Sequence, residues 1–265
     1  MNGLLLLALL TALFYLLQAG WMFLQLRRGV QVPHRLLLLA LLPALLQATL
    51  LHLVIDTPAG QNLGFLPIAA LVSWLIVLLL MIPGGQLTTP LLLFALPLAA
   101  LFSLALPLAP AHYIKPLAGA WPSLVHIFSA LLAYSLLMVA AVQALLLWWL
   151  ERKLRHAPMQ VSPLLPPLQL QESFLFRVIA TGFVLLTVAL LVAAFGLPSL
   201  FASQPLHKPV FALLSWLVFA ILLFGRWRQG WRGRMAVRWT LAGFALLALS
   251  YAGTRIVIEY VLQQP

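Results

Sequence analysis

The sequence predicts an all-α fold, a polytopic bundle of transmembrane helices, on the strength of its composition and of its recurring apolar runs. Of its 265 residues, 64% are hydrophobic and 7% are charged, and the mean hydropathy is +1.09. A soluble domain carries roughly 25% charged residues. No polar stretch between the apolar runs is long enough to fold separately. We therefore predict one integral membrane domain over residues 1–265.

Eight apolar runs, separated by polar or Pro/Gly breaks, are each near the ~20 residues that a helix needs to cross a bilayer. They predict spans at residues 3–25, 36–55, 63–82, 89–108, 124–150, 174–197, 209–226 and 236–260. The first run lacks the basic start of a signal peptide and is too long for one, so we interpret it as a retained span. Between spans, residues 109–123 are typical of an interfacial helix or a re-entrant cap, and the Pro-rich residues 157–171 of an extended linker.

The positions of Lys and Arg predict how these spans are oriented. Cytoplasmic connections carry an excess of both residues. Most of them flank the first, fifth and seventh connections, namely Arg27, Arg28, Arg35, Arg152, Lys153, Arg155, Arg177, Arg226, Arg228, Arg232, Arg234 and Arg238. The opposite side receives Lys115, Lys208 and Arg255. The sequence therefore predicts eight spans with both termini outside.

The charged residues and motifs exclude several classes of function. The net charge of +11 lies in short loops between spans, where orientation and contact with anionic membrane lipid explain it better than nucleic acid does. Without cysteine the chain can form no disulfide, no thiolate metal site and no covalent link to haem. It has four acidic residues, no carboxylate pair within the membrane, no Gly-rich phosphate loop and no HExxH or GxSxG motif. We expect that it is not an enzyme.

Histidine is the remaining residue type that could bind a metal or a cofactor. Four of the six histidines fall on the predicted outer side: His52, His112, His126 and His207. Two neutral imidazoles can bind a haem iron from opposite faces, and His126 and His207 lie at a suitable depth. His52 ends the second span on the same side. The alternative role of His126 is a hydrogen bond to a neighbouring helix. The alternative role of His52 is a hydrogen bond to a neighbouring helix or to the region of Asp56.

Cations near the outer histidines could bind the carboxylates of a haem. Lys208 and Arg255 lie on the predicted outer side and could meet haem propionates through charge-assisted hydrogen bonds. For Arg255, an i,i+4 pair with Glu259 on the last helix is the alternative. In contrast, the basic and aromatic run RWRQGWRGRMAVRW at 226–239 is typical of a cytoplasmic anchor of snorkelling Arg and interfacial Trp.

Several separated segments resemble one family. They are HIFSALLAYSLLMVAAVQALLL from His126, LPPLQLQESFLFRVIATGFVLLTVALLVA, HKPVFALLSWLVFAILLFGRWRQGWRGR from His207 and TLAGFALLALSYAG. Together they are similar to the cytochrome c assembly membrane proteins, the haem-handling group that includes CcsA and CcmC. The resemblance is greatest to the short YpjD/HemX-like inner-membrane branch. It implies a bacterial inner-membrane location, non-covalent contact with haem and a role in cytochrome c assembly or haem homeostasis, with cytochrome c maturation or haem-biosynthesis proteins as partners.

Residue by residue, the resemblance holds at some positions and fails at others. His126 matches the outward-facing histidine that precedes the family's haem-presenting segment, and His52 resembles the family's first membrane-embedded histidine. The Trp-rich WGxxWxWD segment of the larger relatives is missing, since the chain reads LFASQPLHKPVF there. Phe224 stands where those relatives have a second membrane histidine, and Leu262 near their last outward one. His207 is suitably placed to replace a lost outward ligand.

Two other functions remain compatible with the sequence. A small-solute transporter would need polar residues facing one another along the spans, and there are few of these: Ser73, Ser103, Ser129, Ser135, Gln143, Thr181 and Thr187. A regulatory membrane partner of haem biosynthesis would keep the fold without binding haem.

Overall fold

The computed structural model describes residues 2–30, 32–83, 85–109, 113–117, 120–156, 166–196 and 207–253. The predicted all-α helical bundle is confirmed, because helices hold most of these residues and the three strands among them have two or three residues each. The chain divides into two compact units. The first is mainly Met1–Ala118, and the second is mainly Gly119–Val161 with Pro167–Leu262. The single domain over residues 1–265 stays a prediction.

Five α-helices build the first unit: α1 (Asn2–Arg27), α2 (His34–Leu37), α3 (Leu41–Ile55), α4 (Phe65–Met81) and α5 (Thr89–Ala105). Short 3-10 segments at Leu38–Ala40 and Leu106–Leu108 join α2 to α3 and extend α5. Helix α1 packs against α3 and α5, and α4 packs against the same two helices. Their shared core includes Ala8, Leu50 and Leu106, each 1% exposed or less.

A buried polar network crosses the first unit. The Tyr15 hydroxyl donates to Gln47 Oε1 over 2.8 Å, and Gln47 Nε2 donates to the Ala70 carbonyl and the Ser73 hydroxyl over 3.1 and 3.3 Å. Tyr15 and Gln47 are fully buried. Buried polar groups need partners, most of all where water is absent. The network therefore joins α1, α3 and α4.

A three-stranded antiparallel sheet closes one end of the first unit, in the order β1 (Asp56–Thr57), β2 (Gly60–Asn62), β3 (Ile114–Lys115). Gly60 has φ +137°, and a Cβ there would lie 2.7 Å from the Lys115 carbonyl oxygen. Only glycine permits this approach. Of the two alternatives predicted for 109–123, the interfacial helix is therefore wrong for the described residues 113–117, because their backbone pairs with β2 instead. The re-entrant cap stays a prediction.

The described residues of the second unit contain α6 (Trp121–His156), α7 (Leu168–Gly196), α8 (His207–Gln229) and α9 (Arg234–Ala248), which continues as a π-helical turn at Leu249–Gly253. Its core includes Leu137, Ile179, Phe219 and Leu247. Helix α7 begins at Leu168, so the extended linker expected over 157–171 is wrong from that residue on. Pro167 directly precedes the helix, where a missing N–H costs little.

Within the described residues, six helices are long and apolar enough to cross a membrane: Gly3–Arg27, Arg35–Ile55, Thr89–Leu108, Trp121–Arg155, Leu168–Gly196 and Lys208–Gln229. Phe65–Met81 is a shorter apolar helix at the third predicted span. At the eighth, the described residues are helical up to Gly253, and residues 254–260 lie outside the description. The count of eight and the outer position of both termini stay predictions.

Candidate functional site

His126 lies in the second turn of α6 and is held by α7. Its side chain is half-buried, and its Nδ1–H donates to the carbonyl oxygen of Ala189 over 2.9 Å. With the proton on Nδ1, the neutral ring keeps the lone pair of Nε2 for another partner. No described residue forms a hydrogen bond with Nε2. A metal-binding histidine commonly donates its second ring nitrogen in this way, which fixes both tautomer and orientation.

The register between α6 and α7 determines which carbonyl His126 meets. Pro122 of α6 lies against Gly196 of α7, where a Cβ would be 3.1 Å from the Pro122 Cβ. Further along α6, Leu137 lies against Gly182, where a Cβ would be 2.9 Å from the Leu137 Cγ. From the first contact to the second, the residue number rises along α6 and falls along α7. The two helices are therefore antiparallel. Small residues on α7 let the backbones approach, so an α6 imidazole can reach a main-chain carbonyl.

His52 has a different environment in the last turn of α3. Its Nδ1 lies 2.7 Å from Asp56 Oδ2, and its side chain is 74% exposed. The hydrogen bond to the Asp56 region, expected as the alternative role of His52, is present. Gln61 Nε2 donates to the other carboxylate oxygen of Asp56 over 3.4 Å and so ties the pair to the small sheet. Donation from Nδ1 leaves Nε2 of His52 able to bind a metal as well.

Lys208 lies in the first turn of α8, and its carbonyl accepts a hydrogen bond from the Ser250 hydroxyl over 2.9 Å. This bond ties the start of α8 to the π-helical turn that follows α9. His207 is the first residue of α8, but its side chain lies outside the description. Arg255 and Glu259 lie outside it altogether, so their expected pairing stays a prediction.

Two contacts place α8 against α7. Trp216 Nε1 donates to Thr187 Oγ1 over 2.9 Å, and the Trp216 ring stacks on Phe183 with centroids 5.5 Å apart. His207 precedes Trp216 by nine residues, or roughly 14 Å of helix. Further along α8, Arg226 lies over the ring of Phe176, which is nearer the start of α7, so α7 and α8 are antiparallel. The start of α8 is therefore at the same end of the second unit as His126. Whether the two imidazoles form a pair stays a prediction.

Sequence reasoning found the histidines and gave, as alternative roles, a hydrogen bond from His126 to a neighbouring helix and one from His52 to the Asp56 region, and both bonds are present. It could not name the residue that orients His126. The partner of His126 is the main chain of Ala189, which any residue type would supply, so no sequence signal could reveal it. The partner of His52 was accessible, because Asp56 follows at i+4 in a helical pattern. Gln61 could not be assigned, because its contact depends on a sheet with strands of two or three residues.

A family model described as "Cytochrome C assembly protein" matches residues 34–262, a range that includes His52, His126, His207 and Lys208. The chain belongs to the cytochrome c assembly protein family. Among relatives in this family, the inner membrane protein YpjD of Escherichia coli K12 is 35% identical over 207 residues, which are 78% of this chain and 79% of that protein.

Larger members of the cytochrome c assembly family match a smaller part of the chain. The cytochrome c biogenesis protein CcsA of Trichodesmium erythraeum is 32% identical over 91 residues, covering 34% of this chain and 26% of that protein. The CcsA of Chlamydomonas reinhardtii is 27% identical over 138 residues, covering 51% of this chain and 38% of that protein. No solved structure matches the chain. Together with its apolar helices, the family relationship makes the chain a multi-pass protein of the bacterial inner membrane.

Proposed function

We propose that this protein binds haem non-covalently at the outer face of the membrane, as cargo, in support of cytochrome c assembly or haem homeostasis. The observation that carries the proposal is the 2.9 Å hydrogen bond from His126 Nδ1 to Ala189, which leaves Nε2 as a ligand in a fixed direction. Membership of the cytochrome c assembly family supports the same assignment.

In this proposal each residue of the site has one task. His126 provides an iron ligand, while the α7 backbone holds its ring in place. His207, at the same end of the second unit, is the proposed second ligand, and His52 is a further candidate oriented by Asp56. Lys208 and Arg255 would pair with propionates. Reversible ligation of this kind forms and breaks only coordination bonds to the iron and changes no covalent bond of the haem, so we propose that the protein is not an enzyme.

The polar side chains along the spans favour this function over a small-solute transporter. Each of the seven that could line a path already donates a hydrogen bond within the protein. Ser103, Ser129 and Ser135, for instance, donate to carbonyls of their own helices over 2.7–2.8 Å. Hydroxyls satisfied in this way give little to a passing solute.

The test is a haem titration of the detergent-purified protein followed by absorbance. We expect the unaltered protein to show a Soret band. In His126→Ala the affinity for haem should fall at least about tenfold, since replacing even a residue that only orients a ligand lowers affinity or activity 10–100-fold. Added imidazole should restore the band in His126→Ala by entering the space that the side chain leaves. His156→Ala, at the other end of the same helix, is the matched control and should bind haem like the unaltered protein.

Two results would overturn the assignment. The first is a folded protein without a Soret band, and the second is a band that His126→Ala leaves unchanged. The first result would favour the alternative of a regulatory membrane partner that does not bind haem. The missing Trp-rich segment, and Phe224 in place of a histidine, are consistent with that alternative. That partner should then be recovered from the host membrane by pull-down in a fraction that stains negative for haem.

A further inference from the structure

A cavity of about 610 Å³ opens between α6 and α9, at the end of α6 away from His126. Four arginines line it, two from each helix: Arg152, Arg155, Arg234 and Arg238. The lining residues of α6 fall at positions 145, 148, 151, 152 and 155, and those of α9 at 234, 237, 238 and 241. These positions recur every three or four residues, so each helix contributes one face. All four arginine side chains are exposed.

No carboxylate of the described residues pairs with these arginines. Among the described residues, none of the four guanidinium groups lies within 4.0 Å of a carboxylate oxygen. Glu151 also lines the cavity, but its Oε1 would lie 3.1 Å from a Cβ on Gly233, so its carboxylate is directed at the turn before α9. Arg152 is positioned by an aromatic ring, with its guanidinium carbon 5.7 Å from the Trp148 ring centroid. Four cations facing one carboxylate make the cavity a site for an anion.

The polarity of the lining follows the same gradient on both helices. From the tip inward, α6 presents Arg155, Arg152, Glu151, Trp148 and Leu145, and α9 presents Arg234, Val237, Arg238 and Leu241. The basic ends therefore coincide, and both helices become apolar in the direction of the membrane interior. Leu145 is 49% exposed, so this apolar end is accessible rather than filled by the protein.

We propose that this cavity binds an anionic phospholipid, with the phosphate among the four arginines and an acyl chain along Leu145 and Leu241. Arginine binds phosphate through two parallel N–H donors, and basic pockets between transmembrane helices are suited to anionic lipid headgroups. A free phosphate would use only the basic end.

The test measures lipid binding to the purified full-length protein after delipidation, by native mass spectrometry in detergent. The probes are phosphatidylglycerol, phosphatidylcholine with the same acyl chains, and glycerol phosphate, which is the headgroup without chains. We expect a preference for phosphatidylglycerol that glycerol phosphate does not compete away. In the double variant R152Q/R238Q the affinity should fall about fivefold per arginine removed.

The matched control is R27Q/R28Q, which removes two exposed arginines elsewhere, one of them also over an aromatic ring, since Arg27 lies 4.6 Å from the Phe23 centroid. It should keep the affinity for phosphatidylglycerol. The thermal unfolding of both variants should match that of the unaltered protein, because the altered side chains are exposed. Equal binding of the two lipids, competition by glycerol phosphate, or equal loss in the control would each overturn the proposal.

Discussion

At the scale of single residues, the membrane interior requires every buried polar group to find a partner within the protein. Tyr15 and Gln47 satisfy this requirement across three helices. Transmembrane hydrogen bonds of this kind are worth about 0.6 kcal/mol on average and up to ~1.7 kcal/mol. Leaving a buried acceptor without its donor costs more, at roughly 1–3 kcal/mol. The network therefore allows a few polar residues to specify how the helices of this otherwise aliphatic unit pack together.

Tyr15→Phe removes the hydroxyl that donates to Gln47 Oε1 and leaves that buried oxygen without its donor. We expect the free energy of unfolding in mild detergent to fall by about 1–2 kcal/mol. Thr49→Val is the control, because the exposed Thr49 hydroxyl donates only to Leu45 of its own helix. If both variants unfold at the same denaturant concentration, the network contributes nothing measurable to stability.

Residue identity predicts function here only in part. The six histidines, their predicted uneven distribution across the membrane and the spacing of His52 and Asp56 are visible in the sequence. The environment of His126 is not, because a main-chain carbonyl on α7 has no sequence signature. The cavity arginines illustrate the same limit. Arg152 and Arg238 lie far apart in the chain, and only helix packing brings them to one site.

At the scale of elements, apolar runs locate helices well and locate their ends poorly. Helix α6 begins at Trp121 and α7 at Leu168, several residues before the predicted spans, because polar residues outside the membrane still continue a helix. Strands of two or three residues are too short for any alternating pattern, so the sheet at residues 56–62 and 114–115 could not be predicted. The close packing of α6 on α7 depends on single small residues that hydropathy ignores.

Gly182→Ala tests that packing. The new methyl group would lie 2.9 Å from the Leu137 Cγ, so α6 and α7 must separate or Leu137 must leave its rotamer. We expect a loss of about 1–3 kcal/mol in the free energy of unfolding. Gly20→Ala in α1 is the control, since nothing lies within 4 Å of the added Cβ and a helix-interior alanine stabilises by up to roughly 1 kcal/mol.

Thermal unfolding followed by tryptophan fluorescence measures both variants. Gly182→Ala should lower the stability of the protein, and Gly20→Ala should raise it. Equal stabilisation by both alanines would show that α6 and α7 do not pack closely at Gly182. Weaker haem binding by Gly182→Ala would additionally show that the α6–α7 register positions His126.

At the scale of the whole molecule, the absence of cysteine makes the predicted topology directly testable. Single cysteines at the exposed positions Lys115, Gln86 and Arg228 would report three connections through an impermeant maleimide. With eight spans, Lys115→Cys should be labelled in intact spheroplasts. Gln86→Cys and Arg228→Cys should be labelled only after the membrane is permeabilised.

The side of the membrane on which Gln86 lies shows whether α4 crosses the membrane. Labelling of Gln86→Cys in intact spheroplasts would mean that the 17 residues of α4 do not cross the membrane, and the count of spans would be lower than eight. Labelling of Arg228→Cys from outside would contradict the predicted orientation itself. The cysteine-free parent protein is the blank for every measurement.

Helix α6 has 36 residues, which correspond to about 54 Å of rise, whereas the whole bilayer with its headgroups measures ~40–45 Å. Helix α4, with 17 residues, reaches only about 26 Å. Longer lipid tails would leave both ends of α6 in water, but they would force the bilayer to thin around a spanning α4. If α4 crosses the membrane, it is therefore more sensitive to hydrophobic mismatch than α6, whose length suffices for thick and thin membranes alike.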